Sequence, residues 1–103
     1  MRSGQDAVDT HTAIARARAA ADAVARIGVA TLVTGSLARG EFRLGSDVDF
    51  LVTRCPRHLK YAIEGIVEDC LEGLRFDVIY LDEIPDAKRA WFLDGAKRAQ
   101  DLG

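Results

Sequence analysis

Two aspartates one residue apart, Asp47 and Asp49, open the otherwise apolar run Phe50 to Val52. Side chains on a strand alternate faces, so both carboxylates point the same way, roughly 7 Å apart, and Val48 points the other. Like charges placed there are a poor choice for stability alone, and a cation between them is the natural remedy. Carboxylates are hard oxygen ligands that suit Mg²⁺ or Mn²⁺. Upstream, Gly35-Ser36 follows the β-branched run Val29 to Thr34. A glycine before a serine at a strand-to-helix turn lets the backbone approach a bulky anion. The new helix then offers free N–H groups and the positive end of its dipole, and the Ser36 hydroxyl adds a donor. Arg39, about one turn on, can set a charged fork on the same phosphates.

A third acid, Asp77, lies in the later apolar run RFDVIYL. On a strand beside Asp47 and Asp49 it would complete a set of three carboxylates, enough to hold two divalent ions about 3.5–4 Å apart. One ion would neutralise a triphosphate and its leaving pyrophosphate. The other would lower the pKa of an attacking hydroxyl, with Asp77 as ligand and proton acceptor. Two competing motifs fail. GSLARG matches G-x-x-x-x-G, but Glu41-Phe42 stands where a P-loop needs Lys-Ser/Thr. An EF-hand loop needs a third oxygen ligand and a glycine at offsets that are absent after Asp47.

The surrounding elements are legible from periodicity. Residues 6–27 are Ala-rich, with Val8, Ile14, Ala17, Ala21 and Val24 near helical spacing and Arg18, Asp22 and Arg26 opposite, which predicts a long first helix ending before Gly28. Val29 to Thr34 and Asp47 to Thr53 read as strands, with a short helix over Ser36 to Arg39 between them. Pro56 fits the first position of a helix whose apolar face is Leu59, Ile63, Ile66, Val67, Cys70, Leu71 and Leu74. Arg75 to Leu81 reads as a third strand, Asp82 to Pro85 as a turn, and Ala87 to Leu102 as mixed loop and helix interrupted at Gly95. Trp91 and Phe92 there read as core or lid packing, Ser46 as a turn cap, and His11 and His58 as solvated helix residues. This order predicts an α/β domain in which helices pack on a small mixed β-sheet.

At 103 residues with 49% hydrophobic content, the chain suits one domain spanning residues 1–103. A net charge of -2 gives no general basic surface for nucleic acid. Cys55 and Cys70 lack metal-ligand spacing and read as reduced thiols. No window has the apolar length of a signal peptide or membrane span, which predicts a soluble protein of the cytoplasm.

Taken together, GSLARG, then SDVDFLV after the gap Leu37 to Ser46, then the isolated acid in FDVIYL, resemble the DNA polymerase β-type nucleotidyltransferase superfamily. The wording GSLARGEFRLGSDVDFLV is most similar to its minimal nucleotidyltransferases, the MNT group. The resemblance covers residues 28–82 well and the tail after Pro85 poorly. It implies a polymerase β-like nucleotidyltransferase fold, with Gly35, Ser36 and Arg39 on the triphosphate and Asp47, Asp49 and Asp77 binding Mg²⁺. It also implies ATP as substrate and a HEPN-domain toxin as partner, with AMP transferred to a tyrosine of that toxin by an antitoxin. The small size independently suggests that another chain presents the acceptor, with the Ala-rich first helix or the Trp91-Phe92 region as the contact. Transfer to a small molecule, and neutralisation by occlusion without turnover, are the alternatives.

Overall fold

The computed structural model describes residues 10–43 and 45–103. Val8, expected in the first helix, and Leu44, inside the motif gap, lie outside the described residues. Three short strands form one sheet in the order β1 (Thr31–Thr34), β2 (Val48–Val52), β3 (Phe76–Tyr80). β1 runs antiparallel to β2 and β3 runs parallel to it, so the expected mixed sheet is present.

Alternation along the strands sorts the sheet into two faces. Val48, Phe50 and Val52 pair with Phe76, Val78 and Tyr80, and this side joins the main core. Two helices cover it: α1 (Thr10–Ala25) and α3 (Lys60–Leu71). α1 buries Ala13, Ile14, Ala17, Ala20 and Val24. Its three fully buried alanines let α1 and α3 approach closely, and Arg16 Nη1 donates to the Leu71 carbonyl at the end of α3 (3.2 Å). α3 buries Ile63, Val67 and Leu71, with Leu59, Ile66, Cys70 and Leu74 packed beside them, the face its periodicity predicts. The thin apolar stripe of α1 is therefore core, not an open docking surface.

Pro56 does not start that helix. It precedes a 3-10 turn, Arg57–Leu59, in an extended conformation (ψ 138°), and α3 begins at Lys60. A proline fixes φ but leaves ψ free, so it serves a loop entering a helix as readily as the helix itself.

The opposite face carries Leu32, Leu51 and Ile79 in one rung and Thr34, Asp49 and Asp77 in the next. Two short helices flank it, α2 (Gly35–Arg39) directly after β1 and α4 (Asp86–Leu93) after β3. The tail then turns back along β1: Val33 N–H donates to the Lys97 carbonyl (2.7 Å) and Lys97 N–H to the Val33 carbonyl (2.9 Å). Arg18 on α1 ties down the end of the chain, donating to the carbonyls of Ala99 (3.1 Å), Gln100 (3.3 Å) and Leu102 (2.7 Å). Neither strap is expected from the sequence, because each joins residues far apart in the chain. Among the described residues no helix is long and apolar enough to cross a membrane, and both cysteines are free.

Candidate active site

Asp49 sits at the centre of the polar rung. Its register partners are Thr34 on one side and Asp77 on the other, so the third acid does lie on a strand hydrogen-bonded to that of the first two. Gly35 adjoins it so closely that a methyl group in place of a Gly35 hydrogen would stand 2.3 Å from Asp49 Oδ2. Gly35 also has φ +73°, a conformation that L side chains rarely adopt. Backbone angle and lack of room both demand glycine here, and the result is backbone laid directly against a carboxylate.

From that point the chain enters α2. Thr34 occupies its N-cap position but makes no side-chain cap; its hydroxyl donates instead to the Phe92 carbonyl of α4 (3.3 Å). No side chain of the capping residue therefore covers the first N–H groups of the helix, and Ser36 lies among them. The turn ends at Gly40, whose left-handed backbone (φ 75°) directs its N–H back to the Leu37 carbonyl. Arg39 projects from the last turn, paired with Glu41 (Nε to Oε1, 3.0 Å), and it shares a cavity with Gly35 and Asp49.

The electrostatics reflect this crowding. The Asp49 carboxyl is pushed up from 3.8 to about 6, by burial first and then by the charges of Asp47 and Asp77, with Arg39 pulling back. Asp49 is thus poorly hydrated and is held among like charges.

Asp47 has found another partner. Arg75 donates through Nε to Asp47 Oδ1 (2.9 Å) and through Nη2 to the Gly45 carbonyl (2.7 Å). Parity explains it. β2 begins at Val48 and β3 at Phe76, each one residue later than its sequence run suggests. Asp47 and Arg75 therefore stand just before the register pair Val48–Phe76 and bring opposite charges together, while Asp49 and Asp77 pair like charges one step on. The signal is present in the sequence, where Arg75 precedes the third strand as Asp47 precedes the second. Consequently the three carboxylates meet in strand register but not as a finished cage: among the described residues no three His, Cys, Asp or Glu side chains are gathered closely enough to hold a metal ion.

The donor set nonetheless fits a divalent cation. All three groups offer carboxylate oxygen, and the crowding that raises the Asp49 pKa is what a bound cation would relieve.

Residues 18–98 match the family described as Nucleotidyltransferase domain. The chain belongs to this family. Among solved structures, one described provisionally as a minimal nucleotidyltransferase shares 34% identity with this nucleotidyltransferase, over 85% of this chain and 93% of that one, with a TM-score of 0.71. The likeness to the minimal group and the fold that GSLARG and SDVDFLV imply are both present. No curated protein matches the chain.

Three further residues complete this nucleotidyltransferase's site, and of these Thr34 alone carries no signal in the sequence. Thr34 links β1 to α4, and Trp91 and Phe92 wall the cavity that holds Gly35, Arg39 and Asp49. Trp91, expected as core or lid packing, is 75% exposed, whereas Phe92 is half-buried. Ser46 does cap a turn, accepting from Arg43 N–H (3.1 Å), and His11 and His58 are exposed.

Proposed function

We propose that this nucleotidyltransferase moves AMP from ATP onto a hydroxyl, a tyrosine, of a HEPN-domain toxin, and so acts as its antitoxin. The observation that carries the reading is the rung Thr34–Asp49–Asp77 set against the start of α2, with Gly35 touching the Asp49 carboxylate. An anion site thereby adjoins an acidic site, as transfer from a nucleoside triphosphate requires.

In this reading the Gly35 and Ser36 N–H groups and the Ser36 hydroxyl hold the triphosphate, and Arg39 adds a charged fork. Asp47, Asp49 and Asp77 would hold Mg²⁺, which when bound supplies charge neutralisation of the triphosphate and the departing pyrophosphate. The acceptor oxygen attacks the α-phosphorus, the bond from that phosphorus to the α,β-bridging oxygen breaks, and pyrophosphate leaves. Asp77, exposed at the edge of the sheet, takes the hydroxyl proton. Asp49, half-buried and beside Gly35, keeps the reacting end of the nucleotide in register with both.

Intact-mass measurement of a HEPN-domain partner incubated with this protein, ATP and Mg²⁺ tests the proposal. A gain of one or more AMP units, lost in the Asp47→Asn/Asp49→Asn double variant, is expected. No gain with the unaltered chain refutes it.

The ion pair of Asp47 with Arg75 supports a second reading, in which the chain holds nucleotide without turnover and neutralises its partner by covering it. The same double variant separates the two: neutralisation survives it under occlusion and is lost under catalysis.

A further inference from the structure

We propose that Trp91 is the stacking platform for the base of the donor nucleotide. The inference rests on the reading of the site as a nucleoside triphosphate site. An exposed tryptophan is ordinary when it stands alone, since much of any protein surface is apolar. Trp91 does not stand alone. Its ring meets Phe92 edge-on, centroids 4.9 Å apart and planes at 89°, and the residue stays 75% exposed. The Phe92 carbonyl accepts from Thr34, and Thr34 is the strand partner of Asp49. A short chain of contacts therefore ties the indole to the acidic rung.

One cavity of about 240 Å³ joins them. Thr34, Gly35, Arg39, Asp49 and Asp94 line its polar part, and Ile79, Trp91 and Phe92 its apolar part. A nucleotide has the same two-part chemistry, a polyanion joined to a flat ring with little charge. With the phosphates at the start of α2, the aromatic wall is the surface in the same cavity that offers a π-face. Stacking on an indole accepts any base, because every base presents a π-face.

Trp91 is the only tryptophan in the chain, so indole fluorescence reports on it directly. The unaltered protein is titrated with ATP and, separately, with tripolyphosphate, both with Mg²⁺, following fluorescence and heat of binding. ATP is expected to quench the signal and to bind about tenfold or more tightly than tripolyphosphate. In Trp91→Ala, circular dichroism should be unchanged, ATP affinity should fall to that of tripolyphosphate, and tripolyphosphate binding should stay as it was. Trp91→Phe should retain most of the difference. Equal affinity of the two ligands for the unaltered chain, or equal weakening of both by Trp91→Ala, overturns the inference while leaving the phosphate site standing. A fluorescence response to tyrosine amide, with ATP affinity unaffected by Trp91→Ala, assigns the ring to the acceptor and overturns it too. Binding of neither ATP nor tripolyphosphate refutes the nucleotide site itself and this inference with it.

Discussion

Replacing Asp49 by asparagine should make the metal-free protein more stable at neutral pH. The carboxyl is held at about 6 instead of 3.8, by burial first and by Asp47 and Asp77 after it. Below about pH 3.8 the folded and unfolded chains both carry the proton, and the group contributes nothing. Between there and pH 6 the unfolded chain releases it while the folded chain keeps it, so stability falls as pH rises. Above pH 6 the loss is complete. At about 1.4 kcal/mol per tenfold change in proton affinity the full shift would amount to about 3 kcal/mol. The group is only half-buried, so solvent screening brings the expected effect to about 1–2 kcal/mol. Asparagine keeps the shape and removes the charge. Thermal melts in EDTA should show Asp49→Asn above the parent by roughly 5–10 °C at pH 7.5. The gap should close by pH 4, and saturating Mg²⁺ should raise the parent melt alone. A variant less stable than the parent at pH 7.5, or a gap that does not change with pH, would refute the claim that Asp49 is held against its own charge.

Other perturbations probe the neighbouring parts. Gly35→Ala forces an L side chain to φ +73° and into Asp49 Oδ2, which should destabilise the fold by about 1–3 kcal/mol in urea titrations and abolish nucleotide binding. Arg75→Gln removes an ion pair whose side chains are largely exposed, so stability should move by less than about 1 kcal/mol. The freed Asp47 should nevertheless tighten Mn²⁺ binding, measured by titration calorimetry; weaker binding would contradict the role of Arg75 as a brake on the site. Arg18→Ala leaves three tail carbonyls without their charged donor and should cost about 1–3 kcal/mol, with faster proteolytic trimming after Lys97.

The sequence is most readable where short-range rules suffice. Period two puts Asp47 and Asp49 on one side, and period 3.6 marks Ile63, Val67 and Leu71 as buried, as they are. Gly35 stands out in the sequence for an approach of backbone to ligand; the structure adds that it also makes room for Asp49. The features that escape such rules are set by partners distant in the chain. Trp91 looks like core by its chemistry, yet α4 buries none of its residues, because the face of the sheet beneath it is narrow and polar at one end. The Thr34–Phe92 and Val33–Lys97 links depend on how the tail returns, which no local pattern encodes. The charge pattern around Asp47 calls for a positive neighbour. The neighbour in the structure is Arg75, supplied by the chain itself.

The return of the tail has one further outcome. Lys97 shields the outer border of β1 at Val33, whereas the far border of β3 has no strand beside it among the described residues. An uncovered strand edge presents unpaired N–H and C=O groups that another extended segment can join, and a tail laid across the other edge removes part of that opportunity there. The fold thus offers its free backbone groups on the β3 side and covers the β1 side at Val33.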